Sequence, residues 1–316
     1  MAKNSKLKYY ISSYSLLLCP KCLLRWRLKK MLRQAEQSPE REYLQQRVNY
    51  YCKLEQGSPL PDSAAPLSQH TLKNKRGGSV YFFDTYEFTR YFNQAFRWLM
   101  KPGDVTTIPS APTIVKSRPI YGDNANSVLL KLNKVRHFFF VDDPIPFAEK
   151  EHKIVFRGDA NGKPGRIRFF EKWFGNPLCD LVDTASHSVN PAAWKGEGMS
   201  VEAHLKYRYI LALEGVDVAS NLKWVMSSNC IAVMPRPTYE TWFMEGTLIP
   251  NYHYIEIKPD YSDLLERTQY YTDHPDEAEA IIRHAHEYVE QFKNKKRENL
   301  ISLMVLDRYF RMTGQK

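Results

Sequence analysis

A polar segment between two apolar runs contains residue types that could bind a phosphate group. Ser220, Asn221 and Lys223 follow the apolar run 209–213 and precede the run 230–234. If Ser220 begins a helix, its hydroxyl and the first N–H groups of that helix face an anion at the positive end of the helix dipole. Lys223, one turn further along, would then reach the same anion. The alternative is an ordinary helix cap with a surface lysine.

The loop after the β-like run 153–156 is a second candidate for anion binding. It reads RGDANGKPGR and includes Arg157, Gly158 and Arg166. Glycine lets backbone N–H groups approach a ligand closely, and arginine can donate two parallel hydrogen bonds to a phosphate. The spacing matches neither the GxxxxGK[ST] loop nor the GxGxxG loop. The pattern therefore indicates an anion without identifying it.

Three aspartates could supply a general base. Asp142 and Asp143 end the apolar run 137–141, which predicts a buried strand, and Asp123 lies in the loop after Arg118. In open α/β sheets, ligands gather at the carboxyl ends of the strands, so these aspartates and Arg118 are placed for chemistry. Each of them could equally be a turn or cap residue.

Glu240 follows the run 230–234 across a proline-rich loop. A carboxylate there could accept hydrogen bonds from both hydroxyls of a ribose, and a solvated loop glutamate is the alternative. With a third β-like run at 252–257, the stretch 204–263 alternates strand, loop, helix and strand. This order is typical of an α/β nucleotide-binding half.

Helical spacing of apolar residues predicts further helices over 23–35, 278–292 and 299–311. Asp84 and Glu87 resemble a capping box, which predicts that a helix begins after Asp84. That helix would carry an aromatic and aliphatic stripe, which consists of Phe88, Phe92, Phe96 and Leu99.

Positive charge is concentrated at the N-terminal end. The chain has 316 residues and a net charge of +10, and nine lysines and arginines precede Glu36, the first acidic residue. The rest of the chain is close to neutral, which argues against a uniformly basic nucleic-acid-binding protein. The predicted helix 23–35 has an apolar stripe opposite its basic residues; the stripe consists of Leu24, Leu28, Met31 and Ala35. Such a helix can lie on an anionic membrane, or it can pack its stripe on the protein body.

The cysteines and the hydropathy of the chain bear on its compartment. Five scattered cysteines, an odd number, argue against a disulfide framework and for a reducing compartment. Cys19 and Cys22 form a lone CxxC pair, and no second ligand pair at zinc-site spacing is evident, so no metal site is expected. No apolar run approaches the ~20 residues that cross a membrane, and no signal peptide is evident. The chain is therefore expected in the cytoplasm.

An ordered series of segments resembles the motifs of glycosyltransferase family 90, which includes protein O-glucosyltransferases and fungal capsule proteins. The series comprises FRG at 156–158, KYRYIL at 206–211, EG at 214–215, Ser220, ETWF at 240–243, LIP at 248–250, HY at 253–254 and SDL at 262–264. The N-terminal segments PTIVKSRPI at 112–120 and NSVLL at 126–130 look closer still to the LpsA-type lipopolysaccharide glycosyltransferases of bacteria. The resemblance covers most of the chain.

The resemblance implies an α/β fold of the GT-B type, in which two Rossmann-like domains face a cleft and C-terminal helices pack back on the body. Residues 1–148 would bind the acceptor, and residues 149–316 would bind a nucleoside diphosphate sugar. The donor-site residues implied by position are Arg157, Gly158 and Arg166 along the site, Ser220, Asn221 and Lys223 at the diphosphate, and Glu240 at the ribose. Lys116 and Arg118 are the candidates for acceptor binding.

The resemblance also implies inversion at the anomeric carbon without a metal ion. A carboxylate would deprotonate the acceptor hydroxyl, while cations and helix N–H groups stabilise the leaving diphosphate. Family members carry the base in an Arg-Asp pair where this chain has Arg118-Pro119, so the base is open. The candidates are Asp142, Asp123 and Asp143, in that order from their placement at strand ends. The eukaryotic members also place an arginine near the position of Lys223, displaced by one residue.

Together these observations predict a cytoplasmic hexosyltransferase that moves glucose or galactose from a UDP-sugar to a lipid-linked lipopolysaccharide core. It would need no metal or other cofactor, and residues 1–35 would hold it on the cytoplasmic face of the bacterial inner membrane. Two alternatives are a nucleic-acid-binding module that uses the basic arm and a non-catalytic carbohydrate-binding protein. Steeply salt-dependent RNA binding would favour the first, and sugar transfer would exclude the second.

Overall fold

The computed structural model describes residues 6–18, 20–75 and 77–316, and the side chain of Cys22 is not described. The predicted CxxC pair, Cys19 and Cys22, therefore lies outside what the structure describes. Within these ranges the helices are α1 (Lys6–Ser15), α2 (Lys21–Glu36), α3 (Arg41–Tyr51), α4 (Gly78–Thr89), α5 (Lys134–His137), α6 (Pro164–Trp173), α7 (Val201–His204), α8 (Leu222–Val225), α9 (Leu264–Asp273), α10 (Pro275–Glu290) and α11 (Lys295–Met312). The strands are β1 (Ala65–Pro66), β2 (Arg97–Trp98), β3 (Met100–Lys101), β4 (Thr113–Val115), β5 (Ser117–Pro119), β6 (Ser127–Leu129), β7 (Glu151–Gly158), β8 (Cys179–Asp183), β9 (Tyr207–Leu211), β10 (Ile231–Met234), β11 (Tyr239–Thr241) and β12 (Ile255–Glu256).

The chain forms two compact units. We call the first the sheet unit; it contains His137–Thr238 and Met244–Gln291. The second, the helical unit, contains the described residues between 6 and 136, together with Tyr239–Phe243 and Phe292–Lys316. These units divide the chain at other positions than the boundary predicted after residue 148. The assignment of acceptor and donor to the two predicted domains stays a prediction.

The sheet unit is built on a parallel sheet with the strand order β12-β10-β9-β7-β8. This is the order of flavodoxin-like doubly wound sheets. From β7 the chain continues to β8 on one side, and from β9 it continues to β10 on the other. The reversal between β7 and β9 is a topological switch point, and ligands of such sheets bind outside the carboxyl ends of the strands at that point.

The central strands β9 and β10 are almost entirely buried on both faces, which explains why they could be recognised as continuous apolar runs. All residues of β10 are buried, and so are Tyr209, Ile210 and Leu211 of β9. Phe169 and Phe170 of α6 complete the core on one side. The predictions of β7, β9, β10 and β12, and of α10 and α11, are confirmed with small shifts in their bounds.

The helical unit has shorter strands. In its described residues, β3, β4 and β6 form a parallel sheet, and β5 pairs with β11 in antiparallel fashion. Tyr51 of α3 stacks on Trp242, with 3.8 Å between the ring centroids. The α/β class is thus confirmed, and the doubly wound sheet is found in the sheet unit. The GT-B arrangement of two Rossmann-like halves stays a prediction.

One prediction in the helical unit, the helix cap at Asp84, is wrong. For the apolar stripe of α2, the structure decides between membrane contact and packing on the body. Asp84 does not cap a helix: it lies inside α4, where its carboxylate accepts hydrogen bonds from Tyr9 Oη at 2.8 Å and from the Lys134 N–H at 3.0 Å. Because α4 ends at Thr89, the apolar residues at 92, 96 and 99 lie beyond it. In α2, the stripe residues Leu24 and Leu28 are buried, so the predicted stripe packs on the body.

The predicted strand 137–141 is also wrong. The segment that follows α5 is irregular, and the Val141 N–H donates a hydrogen bond to Ser227 Oγ at 2.9 Å instead of joining a sheet. The ranking of Asp142 and Asp143 as base candidates therefore loses its original basis, which was their position at a strand end. In the part of the chain that the structure describes, no helix has both the length and the apolarity needed to cross a bilayer.

Candidate functional site at the switch point

Two loops meet at the switch point of the sheet unit. Loop 159–163 follows β7 and leads into α6, and loop 212–221 follows β9 and leads into α8. Because β7 and β9 are hydrogen-bonded neighbours, both loops leave the same edge of the sheet side by side. The resulting crevice is the expected ligand position in a doubly wound fold.

Arg166, in the first turn of α6, connects the two loops. Its Nη1 donates to the Asp159 carbonyl oxygen at 2.7 Å, on the loop after β7. Its Nη2 donates to the Leu213 carbonyl oxygen at 2.7 Å, and its Nε to that of Glu214 at 3.1 Å, both on the loop after β9. The guanidinium also faces the Phe156 ring at 5.3 Å. One predicted donor residue is thus placed at the centre of the switch point.

Two glycines beside Arg166 are required by close packing. A Cβ atom on Gly158 would lie 2.8 Å from Cζ of Phe156, which real Cβ atoms do not tolerate. A Cβ on Gly215 would lie 3.1 Å from Nη2 of Arg166. The Phe156 ring and the Arg166 guanidinium thus occupy the space that a side chain at these positions would need, which favours glycine there. Gly158 lies where the sequence predicted it.

The helix that offers an anion-binding end is α6, which has ten residues. Lys163 is its N-cap without a side-chain cap, and Pro164 occupies the first turn. The first N–H groups of a helix have no acceptor within that helix, and its N-terminal end is positive. Lys163 Nζ lies 2.6 Å from Asp159 Oδ2, which holds a second cation on this loop.

Asp183, at the carboxyl end of β8, organises the adjacent loops. Its carboxylate accepts hydrogen bonds from the N–H groups of Ala160 and Ala185, both at 3.0 Å. It also accepts from Ser188 Oγ at 2.7 Å and Asn190 Nδ2 at 2.9 Å. Burial alone would raise the pKa of this carboxyl, but these hydrogen bonds lower the pKa below its usual value.

Asp183 and Glu214 received no role from the sequence. Glu214 lies on the loop after β9, and its carboxylate accepts a hydrogen bond from the Thr238 N–H at 2.9 Å. It thereby fixes the loop that begins after β10. The available signal for both residues was their position at or just after the end of a predicted strand.

Arg157 is placed on the other side of β7 from Arg166. Its Nη2 forms an ion pair with Asp180 Oδ2 at 2.7 Å, and its Nη1 donates to the Asp180 carbonyl oxygen at 2.8 Å. Asp180 belongs to β8, the edge strand of the sheet. Arg157 thus ties β7 to β8, and a direct contact with a donor would require it to leave this pair.

The polar segment after β9 is arranged differently from the prediction. The helix α8 has only four residues and begins at Leu222, with Asn221 and not Ser220 at its N-cap. Asn221 Nδ2 donates to the Leu211 carbonyl oxygen at 2.9 Å. Lys223 is fully buried, and its Nζ lies 2.5 Å from Glu245 Oε1. A contact between Lys223 and a diphosphate would therefore require a buried ion pair to break.

Glu240 and Arg118 lie in the helical unit, opposite each other on β11 and β5. Arg118 Nε is 2.8 Å from Glu240 Oε1, and the two side chains are 0% and 2% exposed. Tyr50 Oη also donates to Glu240. Lys116 is buried as well, with its Nζ 2.5 Å from Asp104 Oδ1. Each charge is already compensated inside the unit, so a contact with a ribose or an acceptor would require these ion pairs to open, and the roles of Lys116, Arg118 and Glu240 stay predictions.

The base candidates differ in their surroundings. Asp143 Oδ2 lies 2.8 Å from Nζ of Lys150, which is buried, and accepts the Asn229 N–H at 2.9 Å. In this buried ion pair, Asp143 compensates the charge of Lys150, which is a structural role. Asp142 is exposed in the sheet unit, and Asp123 is exposed in the helical unit. Asp123 Oδ1 accepts the Ala125 N–H at 3.2 Å, as in an Asx-turn.

Among the described residues, no group of three or more His, Cys, Asp and Glu side chains is placed to hold a metal ion. The expectation that no metal is needed stays a prediction. What the switch point does offer is a positive helix end and two cations, Lys163, which is paired with the half-exposed Asp159, and Arg166, which joins the two loops. This combination suits a ligand with several negative oxygens.

Comparison with known proteins defines the class of the chain. The family model described as glycosyl transferase family 90 matches residues 142–312, just over half of the chain and nearly the whole sheet unit. The chain belongs to this family, as the sequence motifs predicted, and the prediction of a glycosyltransferase is confirmed.

Individual relatives agree with this assignment. The chain is 41% identical over 307 residues to O-glucosyltransferase LpsA of Dichelobacter nodosus, which covers 96% of this chain and 95% of that protein. It is 33% identical over 76 residues to protein O-glucosyltransferase 2 of Danio rerio, 24% of this chain and 15% of that protein. It is 28% identical over 142 residues to the uncharacterized protein 179R of Invertebrate iridescent virus 6, 42% of this chain and 12% of that protein.

Proposed function

We propose that the protein transfers a hexose, glucose or galactose, from a UDP-sugar to a lipid-linked lipopolysaccharide core, with inversion and without a metal ion. The observation that carries the proposal is the switch point, where Arg166 holds together the two loops at the expected ligand position. The relative named O-glucosyltransferase LpsA, similar over nearly its full length, supports a sugar as the transferred group.

The diphosphate of the donor is assigned to the N-terminal end of α6. The first N–H groups of this helix and the cations of Lys163 and Arg166 would neutralise it, with Lys163 exchanging the carboxylate of Asp159 for the phosphate. Ser220 and Asn221 lie on the facing loop after β9, which fits their predicted contact with the donor. Lys223 supports that loop from the interior through Glu245.

The chemistry follows from this placement. In an inverting transfer, the acceptor hydroxyl attacks the anomeric carbon in line with the leaving UDP, and a carboxylate takes its proton. Asp142 and Asp123 are the candidates for this base, because both are exposed. As the bond to the phosphate oxygen breaks, negative charge grows on the β-phosphate. The helix end and the two cations would stabilise that charge in place of a metal ion.

The protein would work at the cytoplasmic face of the bacterial inner membrane. The acceptor in this proposal is an anionic lipid, and the N-terminal segment up to residue 35 is strongly basic. Attraction of basic residues to an anionic leaflet would bring the enzyme to its acceptor.

A donor screen tests the proposal. Purified protein is incubated with UDP-glucose or UDP-galactose and a truncated, water-soluble core oligosaccharide, with and without EDTA, and the products are read by mass spectrometry. The expected result is addition of one hexose that EDTA does not prevent. Release of free hexose without transfer, or no reaction with either donor, contradicts the proposal. An Arg166→Gln variant serves as the matched negative control.

A further inference from the structure

Helix α1 has apolar residues on two sides, and neighbouring elements cover only one of them. On the covered side, Tyr9 Oη donates to Asp84 Oδ1 at 2.8 Å, and the Tyr10 ring lies 6.3 Å from that of Phe83, both in α4. The ring of Tyr14 also meets that of Phe83 edge-on, with 4.8 Å between the centroids. On the other side stand Leu7 and Ile11, which are four positions apart and therefore share a face of the helix, with exposures of 70% and 63%. Leu18, in the 3-10 helix Leu16–Leu18 that follows α1, is 84% exposed.

The next helix continues this pattern. In α2, Leu24 and Leu28 are buried, whereas Leu23 and Trp26 are 63% and 68% exposed. We call five exposed side chains of these helices and of the turn between them the N-terminal apolar face; they are Leu7, Ile11, Leu18, Leu23 and Trp26. It differs from the predicted stripe of α2, for which membrane contact and packing on the body were both open, since Leu24 and Leu28 of that stripe are buried.

Such a concentration of exposed apolar side chains indicates an interaction surface. Elsewhere in the described ranges, exposed residues such as Ile108, Val189 and Ile249 stand far apart in the sequence. The described part of the chain leaves the five side chains of the face more than half exposed. A surface of this kind is where another molecule would bind.

The charges around this face identify the chemistry of that partner. Lys6, Lys8, Arg25, Arg27 and Lys29 are exposed on the same two helices, and no acidic residue occurs before Glu36. Exposed leucine and tryptophan flanked by cations are typical of segments that lie in the headgroup region of an anionic bilayer. A protein partner would need a matching acidic and apolar surface, and a nucleic acid would leave the aliphatic side chains in water.

We propose that the N-terminal apolar face inserts into the headgroup region of an anionic bilayer, with the basic residues on the lipid phosphates. The proposal rests on the membrane location in the proposed function and specifies which side chains enter the lipid. Insertion would add a hydrophobic component to the electrostatic attraction, so binding would persist at salt concentrations that screen charges alone.

The test uses the full chain and vesicles of phosphatidylcholine alone or mixed equally with phosphatidylglycerol. The Ile11→Ser/Leu18→Ser variant is expected to bind the mixed vesicles at least about tenfold more weakly, because two large apolar side chains no longer leave water. The matched control, Ile108→Ser/Ile249→Ser, also removes two exposed apolar side chains and is expected to bind unchanged. Circular dichroism confirms that both variants are folded.

Two further measurements separate insertion from adsorption. Brominated lipids should quench tryptophan emission of the unchanged chain more than that of Trp26→Phe, because only the former has an indole at the headgroup level. The Arg25→Gln/Lys29→Gln variant should lose about tenfold or more on mixed vesicles only, at roughly 1 kcal/mol for each cation. Unchanged vesicle binding of Ile11→Ser/Leu18→Ser overturns the proposal. So does a displacement from vesicles by RNA that is equal for the Ile11→Ser/Leu18→Ser and Arg25→Gln/Lys29→Gln variants.

Failure of this proposal and failure of the proposed function can be told apart. Ile11→Ser/Leu18→Ser should transfer hexose to the water-soluble core acceptor at the unchanged rate while it loses activity on acceptor embedded in vesicles. If the unchanged chain binds mixed vesicles through this face but transfers no sugar to either acceptor, the surface is established and the proposed function is not. Equal loss on both acceptors would assign these residues to the fold and overturn the membrane role.

Discussion

Arg166 donates a hydrogen bond to the carbonyl oxygen of Leu213 at 2.7 Å, and this contact joins α6 to the loop after β9. The same guanidinium reaches the carbonyl oxygen of Asp159 at 2.7 Å, on the loop after β7. A single side chain therefore fixes the distance between the two loops that border the crevice. A planar fork of N–H donors can serve acceptors on both sides at once, and an ammonium group on a flexible stem cannot.

Arg166→Lys should lower the affinity for UDP at least about tenfold, although the positive charge is kept. At least one of the bridging hydrogen bonds is lost, at a cost of about 1.5–3 kcal/mol for a charged donor, and the loops can move apart. Isothermal titration calorimetry measures the affinity. Arg168→Lys, an exposed neighbour on the same helix, is the matched control and should bind UDP normally. Normal affinity of Arg166→Lys would show that the bridge does not shape the donor site.

The pair of Lys223 and Glu245 leads to a second prediction, which concerns stability. Their side chains are 0% and 1% exposed, so removal of either partner leaves a charge uncompensated in the interior. Lys223→Met should lower the free energy of unfolding by about 3–5 kcal/mol, measured by urea denaturation. The double variant Lys223→Met/Glu245→Met should recover much of the loss, since a buried pair can be replaced by apolar residues of similar volume.

Calorimetry on the same variants separates this structural role from the predicted contact with the diphosphate. If Lys223 acts only inside the unit, the folded double variant binds UDP with nearly the affinity of the unchanged chain. A stable double variant that has lost UDP binding would instead indicate that Lys223 contacts the diphosphate of the donor.

The sheet unit could be predicted from the sequence because buried parallel strands consist of apolar residues throughout. The runs 153–156 and 230–234 mark β7 and β10 for this reason. Strand ends then point to the ligand edge, which is how the loop that contains Gly158 and leads to Arg166 could be selected as a candidate from the sequence. The strand order, and with it the position of the switch point, depends on pairings between distant segments and leaves no local signal.

The ion pairs show why the surroundings of the other candidate residues could not be predicted from the sequence. Arg118 and Glu240 are 122 positions apart in the chain, and each has the local sequence of an exposed loop or strand-end residue. The local sequence of Lys223, with a serine and an asparagine nearby, is the same whether the lysine binds a ligand or pairs with a buried glutamate. A local pattern gives the residue type and the element, and only the tertiary partner decides the role.

The two neighbouring aspartates 142 and 143 give a third prediction, because their surroundings differ. Asp142→Asn should leave stability and UDP affinity unchanged and lower kcat at least about a hundredfold, as expected for loss of a general base. Asp143→Asn should instead lower the free energy of unfolding, since Lys150 would lose its buried carboxylate. Steady-state kinetics and urea denaturation of both variants test this contrast. Unchanged turnover of Asp142→Asn would exclude Asp142 as the general base and leave Asp123 as the candidate. The same kinetic assay on Asp123→Asn would then test Asp123.

The fourth prediction concerns pH and starts from His253, which is 9% exposed. Its Nδ1 accepts a hydrogen bond from the Ile249 N–H at 2.9 Å, which only the unprotonated nitrogen can do. Burial, with a smaller effect of the nearby His284, lowers the pKa of His253 to about 4, and Glu287 opposes this shift. The native state therefore holds this imidazole neutral down to well below its ordinary pKa.

The sign of the effect follows from proton binding. Between the unfolded pKa of about 6.5 and the folded value, the unfolded chain binds more protons at this site, so stability falls as the pH falls through that window. Above it both states are neutral and the contribution is constant. His253→Asn keeps an acceptor oxygen near the position of Nδ1 and removes the titration. Between pH 7 and pH 4.5 the unchanged chain should lose about 2 kcal/mol more unfolding free energy than His253→Asn, measured by urea denaturation at each pH. Parallel curves for the two proteins would mean that His253 titrates alike in the folded and unfolded states.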